Sequence, residues 1–353
     1  MPFSMPEWAR LLLSMALAGL VCLLFTPPVK RFAEKIGAID QPGERRVNDH
    51  PVPRMGGLAI FLGFVASVLT FGQIDLPTTG MLIGAVIIVV MGALDDIVGL
   101  NAWVKLALQA AAALVAIRCG IVFTVISNLH SGFVQLASFL VYPLTLLWIV
   151  GCTNAVNLID GLDGLAVGVS AISSLTMLIV SFFVAEPAVA VLLAALTGAC
   201  LGFIPYNRNP AKIFMGDVGS QFLGFILATS SVMGLFKFHA IITFLVPVLA
   251  MSVPLADTVF AFFRRIFRGK NPFEADKGHF HHRLLSLGLS QKQAVAVLYS
   301  ISAVLGLLAV LLAGQNAAVR IVCLALGFAI SLTVWIFVVR RGPKGDAPEN
   351  GEK

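Results

Sequence analysis

The chain has 353 residues, of which 58% are apolar and only 12% are charged. Soluble domains contain about 45 to 50% apolar and about 25% charged residues, so this composition excludes both an ordinary soluble protein and a disordered one. The mean hydropathy of +0.94 indicates that much of the surface faces lipid. The net charge of +6 does not predict nucleic-acid binding, because the basic residues lie between apolar segments and form no basic face.

Apolar segments long enough for membrane-spanning helices, about 20 residues each, follow one another along the chain. They cover 9–26, 55–72, 79–94, 102–118, 136–152, 163–184, 187–205, 219–236, 240–262, 293–313 and 319–340. We therefore expect an all-α, polytopic integral membrane protein with about eleven transmembrane helices. One transmembrane domain would cover 1–341, and a polar, disordered tail would cover 342–353. Only Glu186 and Pro187 separate the sixth segment from the seventh, so ten spans is the alternative.

The positions of the basic residues predict how these spans are oriented. Twenty of the 24 Lys and Arg side chains fall on one side of the predicted topology, and cytoplasmic loops are the ones that carry such an excess. The four on the opposite side are Arg10, Arg118, Lys237 and Arg320. We therefore expect the N-terminus outside, the C-terminus in the cytoplasm and an odd number of spans.

Two local patterns add detail to this topology. Pro247 and Pro254 lie inside the segment 240–262 and should bend it, since each removes a helical hydrogen bond. Such a bend would open a groove towards lipid. Ser290 and Gln293 form a capping-box pattern, which predicts that the largest cytoplasmic loop ends there and that a helix begins.

Five of the 18 acidic residues lie at predicted cytoplasmic ends of spans, and this placement is the main indication of function. Asp95 and Asp96 close the third span, Asp160 and Asp163 lie in the loop before the sixth, and Asp217 directly precedes the eighth. A carboxylate costs about 2.5 to 3.5 kcal/mol at the centre of a membrane helix and less at its end, so repeated placement indicates a partner such as a metal ion or Lys. The alternative is that each carboxylate simply reaches water. Because adjacent helical residues point about 100° apart, Asp95 and Asp96 should have different partners.

The string NAVNLIDGLDGL, residues 154–165, places a polar residue at every third position. Gly161 and Gly164 allow a tight turn and a close backbone approach, so amide and carboxylate groups can converge on a polar ligand. Asn side chains read base edges and hydroxyl groups, while Asp accepts hydrogen bonds from ring N–H or ribose hydroxyl groups. A capping turn without a ligand is the alternative.

The string NRNPAKIFMGDVGS, residues 207–220, places Asp217 between two glycines, Gly216 and Gly219. A hard cation can approach such a carboxylate, and Mg²⁺ fits best because it takes oxygen ligands and is usually completed by water and substrate phosphates. The alternative is that Asp217 is only the negative charge that a helix N-terminus favours.

The string DKGHFHHR, residues 276–283, holds three of the six His residues. A zinc site is not expected, because the loop lacks Cys and its His residues are poorly spaced for tetrahedral coordination. Hydrogen bonds to a sugar or a phosphate fit better. A solvated loop, or one that touches anionic lipid headgroups, is the alternative.

Together, the Asp pair, NAVNLIDGLDGL, NPAKIFMGDVGS and DKGHFHHRL closely resemble the motifs of the polyprenyl-phosphate N-acetylhexosamine-1-phosphate transferases, in the same order. The likeness runs from PRMGG, which begins at Pro53, through the His loop. It implies a bacterial inner-membrane enzyme, a monomer or a homodimer, with cytoplasmic active-site loops. Such an enzyme uses Mg²⁺, with Mn²⁺ as a substitute, to transfer a sugar 1-phosphate from a UDP-sugar to a polyprenyl phosphate and releases UMP.

The pattern from His279 to Arg283 is similar to the branch that uses UDP-N-acetylglucosamine, whereas the muramoyl-pentapeptide branch typically has consecutive histidines and ten spans. The resemblance therefore implies UDP-GlcNAc as donor and undecaprenyl phosphate as acceptor, in the first membrane step of a cell-envelope glycan such as a lipopolysaccharide or a teichoic acid. Another UDP-N-acetylhexosamine, or UDP-MurNAc-pentapeptide, is the alternative donor. A secondary transporter is the alternative of a different class, but its site should lie near the bilayer midplane.

The resemblance also implies roles for individual residues. Asp95 and Asp96 match an acidic pair that handles the lipid phosphate, Asp217 matches a metal ligand, and Asp96 and Asn157 are further candidates at the metal. Lys105 matches a phosphate-binding lysine. The uridine pocket would be formed by Asp160, Asp163, Asn207 and Phe214. Contacts to sugar and diphosphate would come from His279, His281, His282 and Arg283, with Arg54 as an additional candidate.

The chemistry of these residue types is consistent with such a transfer. A phosphate oxygen that attacks a diphosphate meets charge repulsion, so Mg²⁺, Lys and Arg must neutralise the array while an Asp removes any remaining proton. Because the sequence shows no dedicated nucleophile, we expect direct in-line attack.

Overall fold

The computed structural model describes residues 5–41, 50–123, 125–128, 132–135, 137–183, 186–234, 242–267, 269, 279–313 and 317–341. Within these ranges the chain is almost entirely α-helical, as expected. The helices are α1 (Glu7–Ile36), α2 (Gly57–Phe71), α3 (Leu76–Val98), α4 (Ala102–Arg118), α5 (Ser138–Leu158), α6 (Leu165–Phe183), α7 (Pro187–Asn207), α8 (Gly216–Gly234), α9 (Ile242–Ala250), α10 (Ser252–Phe267), α11 (Phe280–Ser286), α12 (Gln291–Ala313) and α13 (Ala317–Arg341). The predicted tail 342–353 lies outside the described residues.

Every predicted span contains a helix, and the all-α membrane architecture is confirmed. In the described part of the chain, six helices are long and apolar enough to cross a membrane, namely α1, α3, α5, α6, α7 and α12. Two shorter apolar helices cover Gly57–Phe71 and Ala318–Val334. The total of eleven spans stays a prediction.

The predicted disruption of the segment 240–262 is confirmed in its described part: α9 and α10 meet at Met251, where Met251 N donates to Pro247 O at 2.9 Å and Leu255 N donates to Met251 O at 3.1 Å. The break follows from Pro254, which has no N–H to donate to the carbonyl group four residues earlier. That carbonyl, of Ala250, instead accepts a hydrogen bond from Ser173 Oγ at 2.6 Å. A side chain on α6 therefore satisfies the group that the proline leaves without a helical partner.

Two short antiparallel strand pairs were not predicted. Strand β1 (Ile39–Asp40) pairs with β2 (Val52–Pro53), and β3 (Val125–Asn128) pairs with β4 (Gly132–Gln135). Both pairs connect helices and are too short to produce an alternating pattern that could be separated from the apolar runs around them. The first pair matters for function, because it places Asp40 beside Arg54.

Close helix packing fixes the start of α8 between α2 and α3. A Cβ atom at Gly92 of α3 would lie 2.6 Å from Val218 Cα, and a Cβ atom at Gly219 would lie 2.9 Å from Gly57 Cα of α2. Real Cβ atoms do not come so close to backbone, so only glycine allows these helices to approach to this extent. The approach brings Asp217, next to Val218, against the end of α3.

The ends of the helices alternate between two faces, as they must in an up-and-down bundle. On one face the start of α1 lies against the end of α2, where Arg10 Nε donates to Phe71 O at 2.7 Å. On the other face lie the ends of α3, α5 and α7 and the starts of α4, α8 and α12. The predicted capping box begins α12, since Ser290 N donates to Gln293 Oε1 at 2.8 Å and Gln293 N donates to Ser290 Oγ at 3.4 Å.

Candidate active site

Asp217, in the first turn of α8, is the centre of the polar cluster on this face. Its Oδ1 accepts from Asn157 Nδ2 at 3.2 Å, and its Oδ2 accepts from Lys105 Nζ at 3.0 Å and from Gln221 Nε2 at 2.8 Å. Asn157 also donates to Ser220 Oγ at 2.8 Å. Residues from α4, α5 and α8 therefore hold one carboxylate in a single orientation.

Lys105 joins Asp217 to the Asp pair of α3. Its Nζ lies 3.0 Å from Asp95 Oδ2 and 3.0 Å from Asp217 Oδ2. Asp95 Oδ1 also accepts from Leu100 N at 2.7 Å, which fixes the carboxylate at the turn between α3 and α4. The ammonium group of Lys105 therefore bridges the carboxylates of Asp95 and Asp217.

Asp96 has a different partner, as the angle between adjacent helical residues predicts. Its Oδ1 accepts from Asp217 N at 3.0 Å and its Oδ2 accepts from Val218 N at 3.3 Å, so it caps the N-terminus of α8. A negative charge is stabilised there by the free N–H groups and by the helix dipole. Arg54 Nη1 lies 3.9 Å from Asp96 Oδ1, and Arg54 also pairs with Asp40.

A chain of buried amide side chains extends from Asp217 into the bundle. Gln221, which donates to Asp217, accepts from Gln109 Nε2 at 2.8 Å, and Gln109 Oε1 accepts from Asn154 Nδ2 at 2.8 Å. Gln109 and Gln221 are buried. Neither residue was predicted from the sequence, although an amide inside an apolar helix is a usable signal, because such a group needs a buried hydrogen-bond partner.

A cavity of about 280 Å³ opens beside this cluster. It is lined by Asp40, Arg54, Asp96, Asn157, Asp160, Gly161, Leu162, Asp163, Asn207, Phe214, Gly216, Asp217 and His282. Nine of the predicted site residues are in this lining. Burial, followed by the charges of Asp217 and Asp96, raises the pKa of Asp160 from 3.8 to about 8, although Arg54 opposes the shift.

Three of the predicted uridine-pocket residues also build the cavity wall. Asp163 Oδ2 accepts from Asn209 Nδ2 and from Ala211 N, both at 3.0 Å. Asn207 Oδ1 accepts from Gly164 N at 3.1 Å and its Nδ2 donates to Ile213 O at 3.1 Å. Phe214 N donates to Pro53 O at 2.8 Å. These bonds give Asp163 and Asn207 a structural role, and their contact with a nucleotide stays a prediction.

The His loop is fixed by Asp257, an acidic residue of α10 that the sequence analysis did not select. Asp257 Oδ2 lies 2.7 Å from His279 Nδ1, and its Oδ1 accepts from Phe280 N at 2.7 Å, so one buried carboxylate holds the start of α11. Its position in a largely apolar segment could have identified it, because an acidic side chain buried among apolar ones needs an ion-pair or hydrogen-bond partner.

The four predicted residues of the His loop separate into three environments. His282 lines the cavity, and His281 is buried behind it, 4.3 Å away between ring centroids. The ring of His279 stacks on that of His281 at 5.8 Å. Arg283 is exposed and outside the cavity lining. Burial, followed by the charge of His282, lowers the pKa of His281 from 6.5 to about 4.

A magnesium site is compatible with this donor set. Among the described residues, no three His, Cys, Asp or Glu side chains lie close enough together to hold a metal ion. Magnesium does not need such a cage, because one or two carboxylates together with water and substrate phosphates usually bind it. Asp217 and Asp96, which both line the cavity, are the carboxylates placed to do so. Each oxygen of Asp96 accepts one bond from the start of α8 and keeps a further lone pair, so the cap is compatible with its predicted role as a ligand.

Comparison with known proteins gives consistent matches. A model of glycosyl transferase family 4 matches residues 78–235. A probable undecaprenyl-phosphate N-acetylglucosaminyl 1-phosphate transferase of Bacillus subtilis is 43% identical, over 86% of this chain and 85% of that protein. A decaprenyl-phosphate N-acetylglucosaminephosphotransferase of Mycobacterium tuberculosis is 36% identical, over 80% of this chain and 77% of that protein. The undecaprenyl-phosphate alpha-N-acetylglucosaminyl 1-phosphate transferase of Escherichia coli K12 is 29% identical, over 82% and 80%.

Proposed function

Because the chain belongs to glycosyl transferase family 4, we propose that it transfers N-acetylglucosamine 1-phosphate from UDP-GlcNAc to undecaprenyl phosphate. The products are UMP and a lipid-linked N-acetylglucosamine diphosphate. The single observation that carries the proposal is the convergence at Asp217, where side chains from three helices meet beside a polar cavity at one face of the bundle. A membrane lipid and a cytosolic sugar nucleotide can meet only at such a face.

The donor occupies the cavity, with its uracil near Asp160 and its diphosphate towards Asp217. A carboxyl group whose pKa is about 8 is mostly protonated at neutral pH. It then offers one O–H donor and one carbonyl acceptor, which complements the alternating N–H and C=O groups of the uracil edge. Phe214, on the cavity wall, is available to stack on the base.

The acceptor phosphate approaches from the side of Asp95 and Lys105. Lys105 compensates the charge of the incoming phosphate, and Asp95 takes its remaining proton. Arg54, which lines the cavity beside Asp96, supplies a second positive charge for the diphosphate. Magnesium, held by Asp217 and by Asn157 or Asp96, would neutralise the diphosphate and polarise the phosphorus that is attacked.

Transfer proceeds by direct in-line attack of the acceptor oxygen on the donor's β-phosphorus. The P–O bond to the α-phosphate breaks, and UMP leaves with the bonding electron pair. Hydrogen bonds orient each of the three carboxylates for one role. Asp95 acts as the base, Asp96 caps α8, and Asp217 is the metal ligand. A trapped phosphoryl group on Asp95, found by mass spectrometry after a rapid quench, would refute the direct mechanism.

We further propose that the cavity opens to the cytoplasm of a bacterial cell, with the N-terminus outside. The ends of α3, α5 and α7 lie on the cavity face, and this is the face on which the basic residues are concentrated. Labelling of single cysteines from outside intact cells tests this orientation. Residue 75, on the opposite face, should react, and residue 208 should not.

The reaction itself is tested with purified protein, undecaprenyl phosphate, Mg²⁺ and a panel of radiolabelled donors. UDP-GlcNAc should give UMP and a labelled lipid in equal amounts, while UDP-GalNAc and UDP-MurNAc-pentapeptide should give much less. Asp217→Asn should abolish turnover. Asp75→Asn is the matched control, because Asp75 also begins a helix, accepting from Thr78 N at 2.9 Å, but on the opposite face. Absence of UMP release with every donor would refute the proposed function.

A further inference from the structure

A second cavity, of about 630 Å³, lies next to the candidate active site. Its apolar wall is formed by Ile204 and Pro205 of α7 and by Val295, Ala296 and Tyr299 of α12. Both helices are long enough to span the membrane. The volume is within the range of about 300 to 1,000 Å³ that is typical of small-molecule sites.

Three basic side chains surround the mouth of this cavity. Arg208 follows α7, Lys212 lies in the segment before α8, and Lys292 is in the first turn of α12. All three are exposed, and none forms an ion pair with another described residue. Positive charges from three separate elements thus face one concave space whose inner wall is apolar.

We propose that this cavity binds an anionic phospholipid of the surrounding leaflet. The phosphate group would contact Arg208, Lys212 and Lys292, and the upper part of an acyl chain would lie along the wall of α7 and α12. Lipid-facing basic clusters at helix ends attract anionic headgroups in this way. The cavity shares only Asp163 with the acidic lining of the active site, so the acceptor phosphate would not reach the reacting groups from here.

The residues around the cavity connect such a lipid to the donor pocket. Asn209 donates both to Asp163 Oδ2 at 3.0 Å and to Gln291 Oε1 at 2.6 Å, and Gln291 is the neighbour of Lys292. Tyr299 donates to Gly164 O, in the turn that also contains Asp163. A lipid phosphate that holds Arg208 and Lys212 would therefore stabilise the segment 207–214, which supplies Asn207 and Phe214 to the active-site cavity.

The proposal can be tested on the full chain in nanodiscs of phosphatidylcholine alone or of equal parts phosphatidylcholine and phosphatidylglycerol. Native mass spectrometry should show phosphatidylglycerol retained on the released protein. The triple variant R208Q/K212Q/K292Q should retain it at least about tenfold less, because it removes the three positive charges at the mouth of the cavity. The matched control is K30Q/R31Q/K35Q, which removes one Arg and two Lys from the end of α1 on the same face. It should retain the lipid as the wild type does.

A triple variant that retains phosphatidylglycerol as well as the wild type would overturn the site, and so would equal loss in the control. Inorganic phosphate is the third arm. If phosphate added to phosphatidylcholine nanodiscs protected the wild type against thermal unfolding as phosphatidylglycerol does, the site would bind a free anion instead of a lipid. The retention measurement contains no substrate, so its outcome is independent of the proposed function.

The coupling to the donor pocket rests on the proposed function and has its own readout. Phosphatidylglycerol should lower the KM for the sugar nucleotide in the wild type and in the control by about threefold or more, with little change in kcat. The triple variant should show no such response. A KM that is the same in both lipid compositions would overturn the coupling while leaving the lipid site intact.

Discussion

Gly216→Ala should damage the active site through one contact, the contact with Asp96. Gly216 has φ +69°, and a Cβ atom there would lie 2.7 Å from Asp96 Cγ. Asp96 must then move away from the N-terminus of α8. Gly99→Ala is a matched control, because Gly99 also has φ +69° but would place its Cβ atom in open space.

The difference between the two variants can be estimated from the structure. Each should lose about 1 to 2 kcal/mol because an L-residue is strained in the left-handed region. Gly216→Ala also loses the bonds from Asp217 N at 3.0 Å and Val218 N at 3.3 Å to Asp96. Hydrogen bonds to a charged group contribute about 1.5 to 3 kcal/mol each, and water can partly replace them, so the additional loss should be about 3 kcal/mol.

The assay combines thermal unfolding in detergent with the rate of UMP release. Gly216→Ala should be clearly less stable than Gly99→Ala, and its turnover should fall at least about a hundredfold because Asp217 loses its fixed position. The control should keep most of its turnover. Equal stability and equal turnover of the two variants would refute the assignment of Asp96 as the cap that positions Asp217.

Three further predictions test other parts of the site. Asp257→Asn should raise the KM for the sugar nucleotide more than it lowers kcat, because His279 loses a charge-assisted hydrogen bond worth about 1.5 to 3 kcal/mol. Steady-state kinetics measure both constants, and an unchanged KM would contradict this role of Asp257. Gln221→Leu should lower turnover about tenfold or more but leave the affinity for UDP unchanged in calorimetry, because Gln109 and Asp217 each lose one buried hydrogen bond, worth about 1 to 3 kcal/mol. Asp160→Asn should change how the free energy of unfolding depends on pH. The pKa of Asp160 in the folded protein, about 8, lies above the ordinary 3.8, so the wild type, free of divalent ions, loses stability as the pH rises from 3.8 to about 8. The variant should lose less stability over this range. Parallel unfolding curves for wild type and Asp160→Asn across that range would contradict the raised pKa.

The positions of the helices could be predicted from the sequence because a bilayer imposes a length and an apolar composition on every span. The two-helix structure of 242–267 could not be predicted in full. Two prolines indicate a disruption, but only the fold shows that it falls at Met251 and that Ser173 Oγ donates to the Ala250 carbonyl. The strand pair that carries Asp40 was missed because two-residue strands leave no periodic pattern.

The residues that form the site could be predicted from the sequence better than the role of each residue. Asp95, Asp160 and Asp217 were selected because carboxylates near lipid need partners, and the structure brings Asp160 and Asp217 to one cavity. The cap formed by Asp96 depends on how closely α3 and α8 pack, which no local pattern encodes. The bonds from Gln109 to Gln221 and between Asp257 and His279 join different helices or loops, so these partners are visible only in the folded chain.

The central claim is that Asp217 anchors a divalent ion which joins the sugar nucleotide to the lipid phosphate. Electron paramagnetic resonance of Mn²⁺, added in place of Mg²⁺ to the purified protein with UDP, measures this most directly. The wild type should show a bound-ion spectrum that strengthens with UDP, and Asp217→Asn should show only free Mn²⁺ at the same concentrations. An identical bound-ion spectrum in the two proteins would contradict the claim.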